Sequence, residues 1–149
     1  MVAVDTNVVV RFLVRDDERQ ALAAYRRFRQ AELSRERLFV PLLVLLETIW
    51  VLGSAYGKSR TEILTAIQDL REMAIIQFEK EEVVDRWLVR SAETKADLAD
   101  VLIALAAGGC GCESGLTFDK EAAKFGFFRL LDEGRTTQIP PPSSNTSAI

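Results

Sequence analysis

Short runs of β-branched and apolar residues alternate with longer stretches of helical spacing along most of this chain, and that alternation limits its fold more than any other feature. Residues 2–4, 38–40, 74–78, 115–118 and 127–131 read as strands. Between the first two, Asp16-Asp17-Glu18 offers a cap and an acidic first turn for a helix through about Ala31. Pro41 suits the first turn of an apolar helix that Gly53 or Gly57 would end. Residues 61–73 carry helical spacing at Ile63, Leu64, Ile67 and Leu70. Two further helices are expected over 81–92 and 98–107, and a short one between the last two strands. Residues 8–14 stay open: their β-branched side chains favour a strand, while Arg11 and Arg15 stand four apart as on a helix. The pattern as a whole builds a parallel sheet covered by helices, an α/β fold.

With 149 residues and 48% hydrophobic content, one ordinary domain with a sizeable core is expected. Residues 1–132 would form it. Residues 133–149 are polar, contain Pro140-Pro141-Pro142 and read as a disordered tail. The longest apolar run, around 42–52, is too short for a membrane span and holds Glu47. Strand-like residues begin directly after Met1, leaving no room for a secretion signal. Cys110 and Cys112 flank a single glycine, a spacing poor for a structural disulfide, and no second pair completes a zinc site. A reducing cytoplasm is the expected location. The chain contains no histidine, which excludes a histidine-based triad and a histidine-ligated metal.

The net charge of −3 argues against nucleic acid as a partner only if charge is spread evenly. A clustered acidic site can coexist with a basic rim, for which Arg26, Arg27, Arg29, Arg35, Arg37, Lys58 and Arg60 are candidates. For any one of these the plainer reading, a solvated helix face, is the favoured one.

Four carboxylates sit at the edges of segments that otherwise belong in a core: Asp5, Glu47, Asp100 and Asp119. Asp5 and Asp119 can each be read as the cap of the helix that follows. Asp97 has a local explanation too, since Thr94-Lys95-Ala96-Asp97 fits a capping box. Asp100 is harder to assign locally. It and Asp97 flank the stripe of Leu98, Val101, Leu102 and Leu105 that should be buried. Glu47 is hardest, because apolar residues surround it on every helical face; unpartnered in a core it would cost several kcal/mol or become protonated.

If the four converge, they need a counterion. Two carboxylates about 5 Å apart repel by about 3 kcal/mol at an effective dielectric near 20. Oxygen-only ligands select a hard ion, Mg²⁺ or Mn²⁺, which can polarise a phosphoryl oxygen and acidify a bound water. Asn7 and Thr117, two residues from Asp5 and Asp119, are placed to orient carboxylates or water. Phosphodiester cleavage is the natural reaction for such a site.

Val4-Asp5-Thr6-Asn7, a lone Glu47 in an apolar helix, Asp97-Leu98-Ala99-Asp100-Val101-Leu102-Ile103-Ala104 and Leu116-Thr117-Phe118-Asp119 together resemble the PIN-domain ribonucleases. Within that family the chain most resembles the VapC-type toxins of bacterial toxin–antitoxin pairs, from about residue 2 to 132. Each motif alone is weak, and the strength lies in all four in order within one alternating chain. The resemblance implies a three-layer α/β/α fold around a central, mainly parallel sheet. It implies Mg²⁺- or Mn²⁺-dependent endoribonuclease activity, with a metal-activated water attacking the phosphodiester. By motif position, Asp5, Glu47, Asp100 and Asp119 carry over as the acidic site, with Asp5 and Asp100 the first choice as direct ligands. Asp97 carries over as a further ligand candidate and Thr117 as the supporting hydroxyl. Implied partners are RNA, a small antitoxin protein covering the site, and a second copy in a homodimer. No membrane is implied.

Three rival readings follow from the same residues. An aspartyl phosphatase wants Asp-x-Asp after its first strand, and here Asn7 fills the second place. A phosphoryl-receiver domain needs an acidic pair near the N-terminus, which is missing after the first strand. The third is a PIN-like module that binds a partner with little or no catalysis; intact acids weigh against it.

Overall fold

The computed structural model describes residues 1–131 and 134. The expected boundary at 132 and the tail beyond it therefore lie outside the described residues, Gly134 apart. The chain begins with β1 (Val2–Ala3), α1 (Thr6–Val14), α2 (Glu18–Ser34) and β2 (Leu38–Val40). It continues through α3 (Leu42–Ser54), α4 (Arg60–Glu72), β3 (Ile76–Phe78) and α5 (Glu81–Glu93). It closes with α6 (Leu98–Gly109), β4 (Gly115–Thr117), α7 (Lys120–Ala123) and β5 (Phe128–Leu130). Every element expected from the sequence is present.

All strand pairings among the described residues are parallel, as an alternating α/β order requires. β2 lies between β1 and β3, with Val2 opposite Leu38 and Leu38 opposite Ile76. β4 pairs with β5 in a separate two-stranded sheet, so the strands are shared between two sheets instead of one. The arrangement is a three-layer α/β/α domain. Leu38 and Val40 of β2 and Ile76 and Phe78 of β3 are buried, against Phe28, Leu45, Ile67 and Trp87 from the helices. The Trp87 indole N–H donates to the Leu98 carbonyl at 2.8 Å, so the largest core side chain also ties α5 to the start of α6.

The ambiguous stretch after Asp5 is helical. Asp5 caps it, and Val9 and Val10 turn inward while Asn7 stays exposed. The cap decides between two periodicities that β-branched residues leave balanced. Pro41 is the residue just before α3, and Gly53 is tolerated inside that helix, which runs on to Ser54. Among the described residues, no helix is long and apolar enough to cross a membrane.

Candidate active site

Asp5 leaves the carboxyl end of β1, the end of parallel strands where ligand-binding groups gather. Its Oδ1 accepts the Val8 N–H at 3.0 Å and caps α1, which commits one carboxylate oxygen and leaves the other. The next residue, Thr6, is buried, and its Oγ1 donates to Glu47 Oε2 at 2.6 Å. A hydroxyl one residue after Asp5 thus holds the Glu47 carboxylate across 41 positions of sequence.

Glu47 is not a core residue, contrary to the expectation from its apolar neighbours. α3 buries Leu45, Thr48, Ile49 and Leu52, and the opposite side, with Leu43, Glu47 and Trp50, faces solvent. Apolar residues on every side of a helix conceal which side is open. The partner that Glu47 was expected to need is Thr6.

A second group of acids forms around the first turn of α6. Asp97 Oδ1 accepts the backbone N–H of Ala99 at 2.9 Å and of Asp100 at 3.3 Å. Asp97 is therefore itself the N-cap of α6, and the capping box expected from Thr94 does not form. Thr94 instead follows the end of α5 and accepts the Ala96 N–H. Asp100 is half-buried. Burial raises its carboxyl above the ordinary range, and the negative charges of Asp97 and Asp119 push it the same way. Asp119 follows β4 and caps α7, accepting the Glu121 N–H at 2.8 Å. Its own N–H donates to Thr117 Oγ1 at 2.9 Å, so the Thr117 hydroxyl braces the backbone of the Asp119 turn.

α3 packs against both α1 and α6, the helices that follow Asp5 and Asp97. Asp5 and Thr6 flank the start of α1, Glu47 belongs to α3 itself, and Asp97 and Asp100 lie at the start of α6. Asn7 lines a concavity with Val8, Arg11 and Arg27, and no hydrogen bond among the described residues ties its side chain to an acid. No ion pair among the described residues involves Asp5, Glu47, Asp97, Asp100 or Asp119.

The donor set fits a hard divalent cation in its chemistry: oxygen ligands only, with the charges of Asp97 and Asp119 raising Asp100 and no ion pair to any of the acids among the described residues. In geometry it is open. Among the described residues no three Asp, Glu or Cys side chains stand close enough to hold one ion. Three of the acids spend an oxygen on helix caps, which holds each near its own backbone, and Glu47 spends one on Thr6.

Arg60, a rim candidate from the sequence, has a different task. Its Nη1 donates to the Ala96 carbonyl at 2.6 Å, and Nε and Nη2 to the Ser91 carbonyl at 3.2 and 2.8 Å. The guanidinium therefore clamps the connection from α5 to α6 just ahead of Asp97. Burial lowers its pKa, and the Asp97 charge opposes that fall. Arg27 and Arg29 are likewise occupied, by Glu36 and Glu32. Thr6 and Trp50 escaped the sequence reading. A threonine directly after a strand-end aspartate signalled the first, and nothing in the spacing of an apolar helix signalled the second.

Comparison with known proteins gives one family. The model of the PIN domain matches residues 2–127. A solved structure also matches, that of VapC20 of Mycobacterium tuberculosis, a sarcin–ricin loop cleaving toxin. It is 20% identical, with a TM-score of 0.39, over 85% of this chain and 96% of the other. No curated protein matches.

Proposed function

Because the chain belongs to the PIN domain family, we propose that it is a Mg²⁺- or Mn²⁺-dependent endoribonuclease and the toxin of a toxin–antitoxin pair. The observation that carries the reading is Asp100, a half-buried carboxylate facing the charges of Asp97 and Asp119 with no cationic side chain paired to any of them among the described residues. A site that concentrates negative charge in this way is poised for a cation. Asp5, Asp100, Asp119 and Glu47 would hold the ion, with Asp97 as a further ligand. Bound there, a hard divalent cation supplies Lewis acidity toward a phosphoryl oxygen and toward water.

The residues of the chain have separable tasks. Thr6 orients Glu47, and Thr117 orients the Asp119 turn. Asp5 and Asp119 are fixed as helix caps, each with one carboxylate oxygen turned to the N–H it caps and one left over. Asn7 is an additional candidate for positioning water or substrate. The partners of this reading are RNA, a small antitoxin protein and a second copy of the chain, and its domain is residues 1–132.

The test is cleavage of total RNA with Mg²⁺ or Mn²⁺ by the wild-type chain and by Asp5→Asn. Metal-dependent cuts by the wild type alone are expected. Equal cleavage by folded Asp5→Asn protein would sink the mechanism. The openness of the acids, with no three at ligating distance among the described residues, favours one second reading. It is a PIN-like module that binds a partner with little or no catalysis. Folded protein that binds its partner and cuts no RNA with either ion would support it.

A further inference from the structure

We infer that the concavity where α3, α4 and α6 meet is a nucleobase subsite, in which one unpaired base of the RNA stacks on the Trp50 indole; this rests on the ribonuclease reading. The concavity measures about 340 Å³, and Ile49, Trp50, Arg60, Ile63, Asp97 and Leu98 line it. It adjoins the acids through two of its walls. Trp50 follows Glu47 by three residues on the open side of α3, and Asp97 precedes Asp100 by three at the start of α6.

The two tryptophans of the chain behave in opposite ways. Trp87 is 0% exposed and fills the core, whereas Trp50 is 67% exposed. An indole left to solvent beside a mainly apolar cavity is a stacking platform, and single-stranded RNA is read mainly by stacking its unpaired bases on aromatic faces. The other walls supply what a base needs around its rim. Ile49, Ile63 and Leu98 give apolar contact. Asp97 uses Oδ1 for the two backbone N–H groups of its cap, and among the described residues Oδ2 takes no hydrogen bond. With the ion held by the other acids, that oxygen accepts from an exocyclic amino group, which favours adenine, cytosine or guanine over uracil, which has none. Arg60 is held by the Ser91 and Ala96 carbonyls, so the one cation of the cavity sits in a fixed place and offsets the negative charge that Asp97 brings.

A larger concavity, about 440 Å³, lies at Arg15, Glu18, Leu22 and Tyr25, but none of the site acids lines it. The smaller one has both the aromatic surface and the neighbourhood of the acids.

The experiment uses the full chain in EDTA, so that binding is read without cleavage, with single-stranded 12-mers of adenylate, cytidylate and uridylate. Tryptophan emission reports the stack, because the buried Trp87 gives a background that RNA cannot reach. Saturable quenching by the adenylate and cytidylate oligomers, weaker with uridylate, is expected. Trp50→Leu should abolish the quenching and weaken binding by about tenfold in anisotropy of a labelled oligomer. Trp50→Phe should retain most of the affinity, since a ring remains. Binding that leaves emission unchanged and is equal in Trp50→Leu overturns the subsite while sparing the ribonuclease reading. No binding of any oligomer overturns both. Unchanged RNA binding together with loss of a dimer in Trp50→Leu assigns the face to a second copy of the chain and overturns the proposal.

Discussion

Thr6 Oγ1 lies 2.6 Å from Glu47 Oε2, and this one hydrogen bond joins the residue after Asp5 to the only acid of α3. It is the direct physical tie between the two N-terminal motifs of the site. Thr6 is 7% exposed, so its hydroxyl has no ready substitute partner, whereas Glu47 can still turn to water. Thr6→Val keeps the shape and removes the donor. We expect a loss of about 1 kcal/mol in urea unfolding, below the usual value for a bond to a charged group because Glu47 is exposed. Thr6→Ser should recover most of it.

Asp100 gives a pH dependence with a definite sign. Its carboxyl titrates above the ordinary range in the folded chain, first through burial and then through Asp97 and Asp119. A raised folded-state pKa means that the ionised form opposes folding. The contribution favours the fold below the ordinary carboxylate pKa and is lost as pH rises through the raised value. At neutral pH without divalent ions, Asp100→Asn should therefore melt higher than wild type, on the order of 2 °C, although it no longer cleaves RNA. The difference should close in acid, and Mg²⁺ should raise the melting point of the wild type more than that of the variant. Thermal scans at several pH values, with EDTA or Mg²⁺, decide it.

How much of this was legible in the sequence differs by kind of feature. Strands such as Leu38–Val40 were legible because a short apolar run between polar stretches has few other uses. The alignment of Asp97 and Asp100 beside the buried face of α6 was legible because helical period alone sets it. Residues 8–14 were not, since their β-branched side chains weigh toward a strand and Asp5, legible as a cap, reads equally well as a site acid. The exposure of Glu47 was hidden because α3 is apolar all round, and only its neighbours determine the open side. Arg60 was misread for a related reason. A surface arginine and one clamped on two carbonyls look alike until the chain brings Ser91 and Ala96 beside it. The separation of β4 and β5 from the other strands likewise has no local signature.

Gly115 opens β4 under two aromatic rings. A Cβ there would stand 2.7 and 2.8 Å from the Phe128 ring and 3.0 Å from that of Phe127. Gly115→Ala must push β5 or tilt both rings, and overpacking of this kind costs about 1–3 kcal/mol. Since β4 leads directly to Thr117 and Asp119, cleavage should fall along with the unfolding midpoint. Phe128→Leu in the same chain makes room for the methyl group and should restore part of both, which separates a steric cause from a general loss of fold.

Arg60 tests whether the connection before Asp97 depends on guanidinium shape or on charge alone. Three of its N–H groups reach two carbonyls, Ser91 from Nε and Nη2 and Ala96 from Nη1. A lysine keeps the charge near Asp97 but offers a single ammonium that cannot span both acceptors in the fixed geometry of the fork. Arg60→Lys should therefore cost about 1–3 kcal/mol, the penalty of leaving a partly buried carbonyl without its donor. The damage should be local first: hydrogen exchange ought to quicken at Ala99 and Asp100, the two amides that Asp97 caps, before the core strands respond. If Arg60→Lys matches the wild type in both stability and exchange, charge alone holds the connection, and the clamp assigned to the guanidinium is wrong.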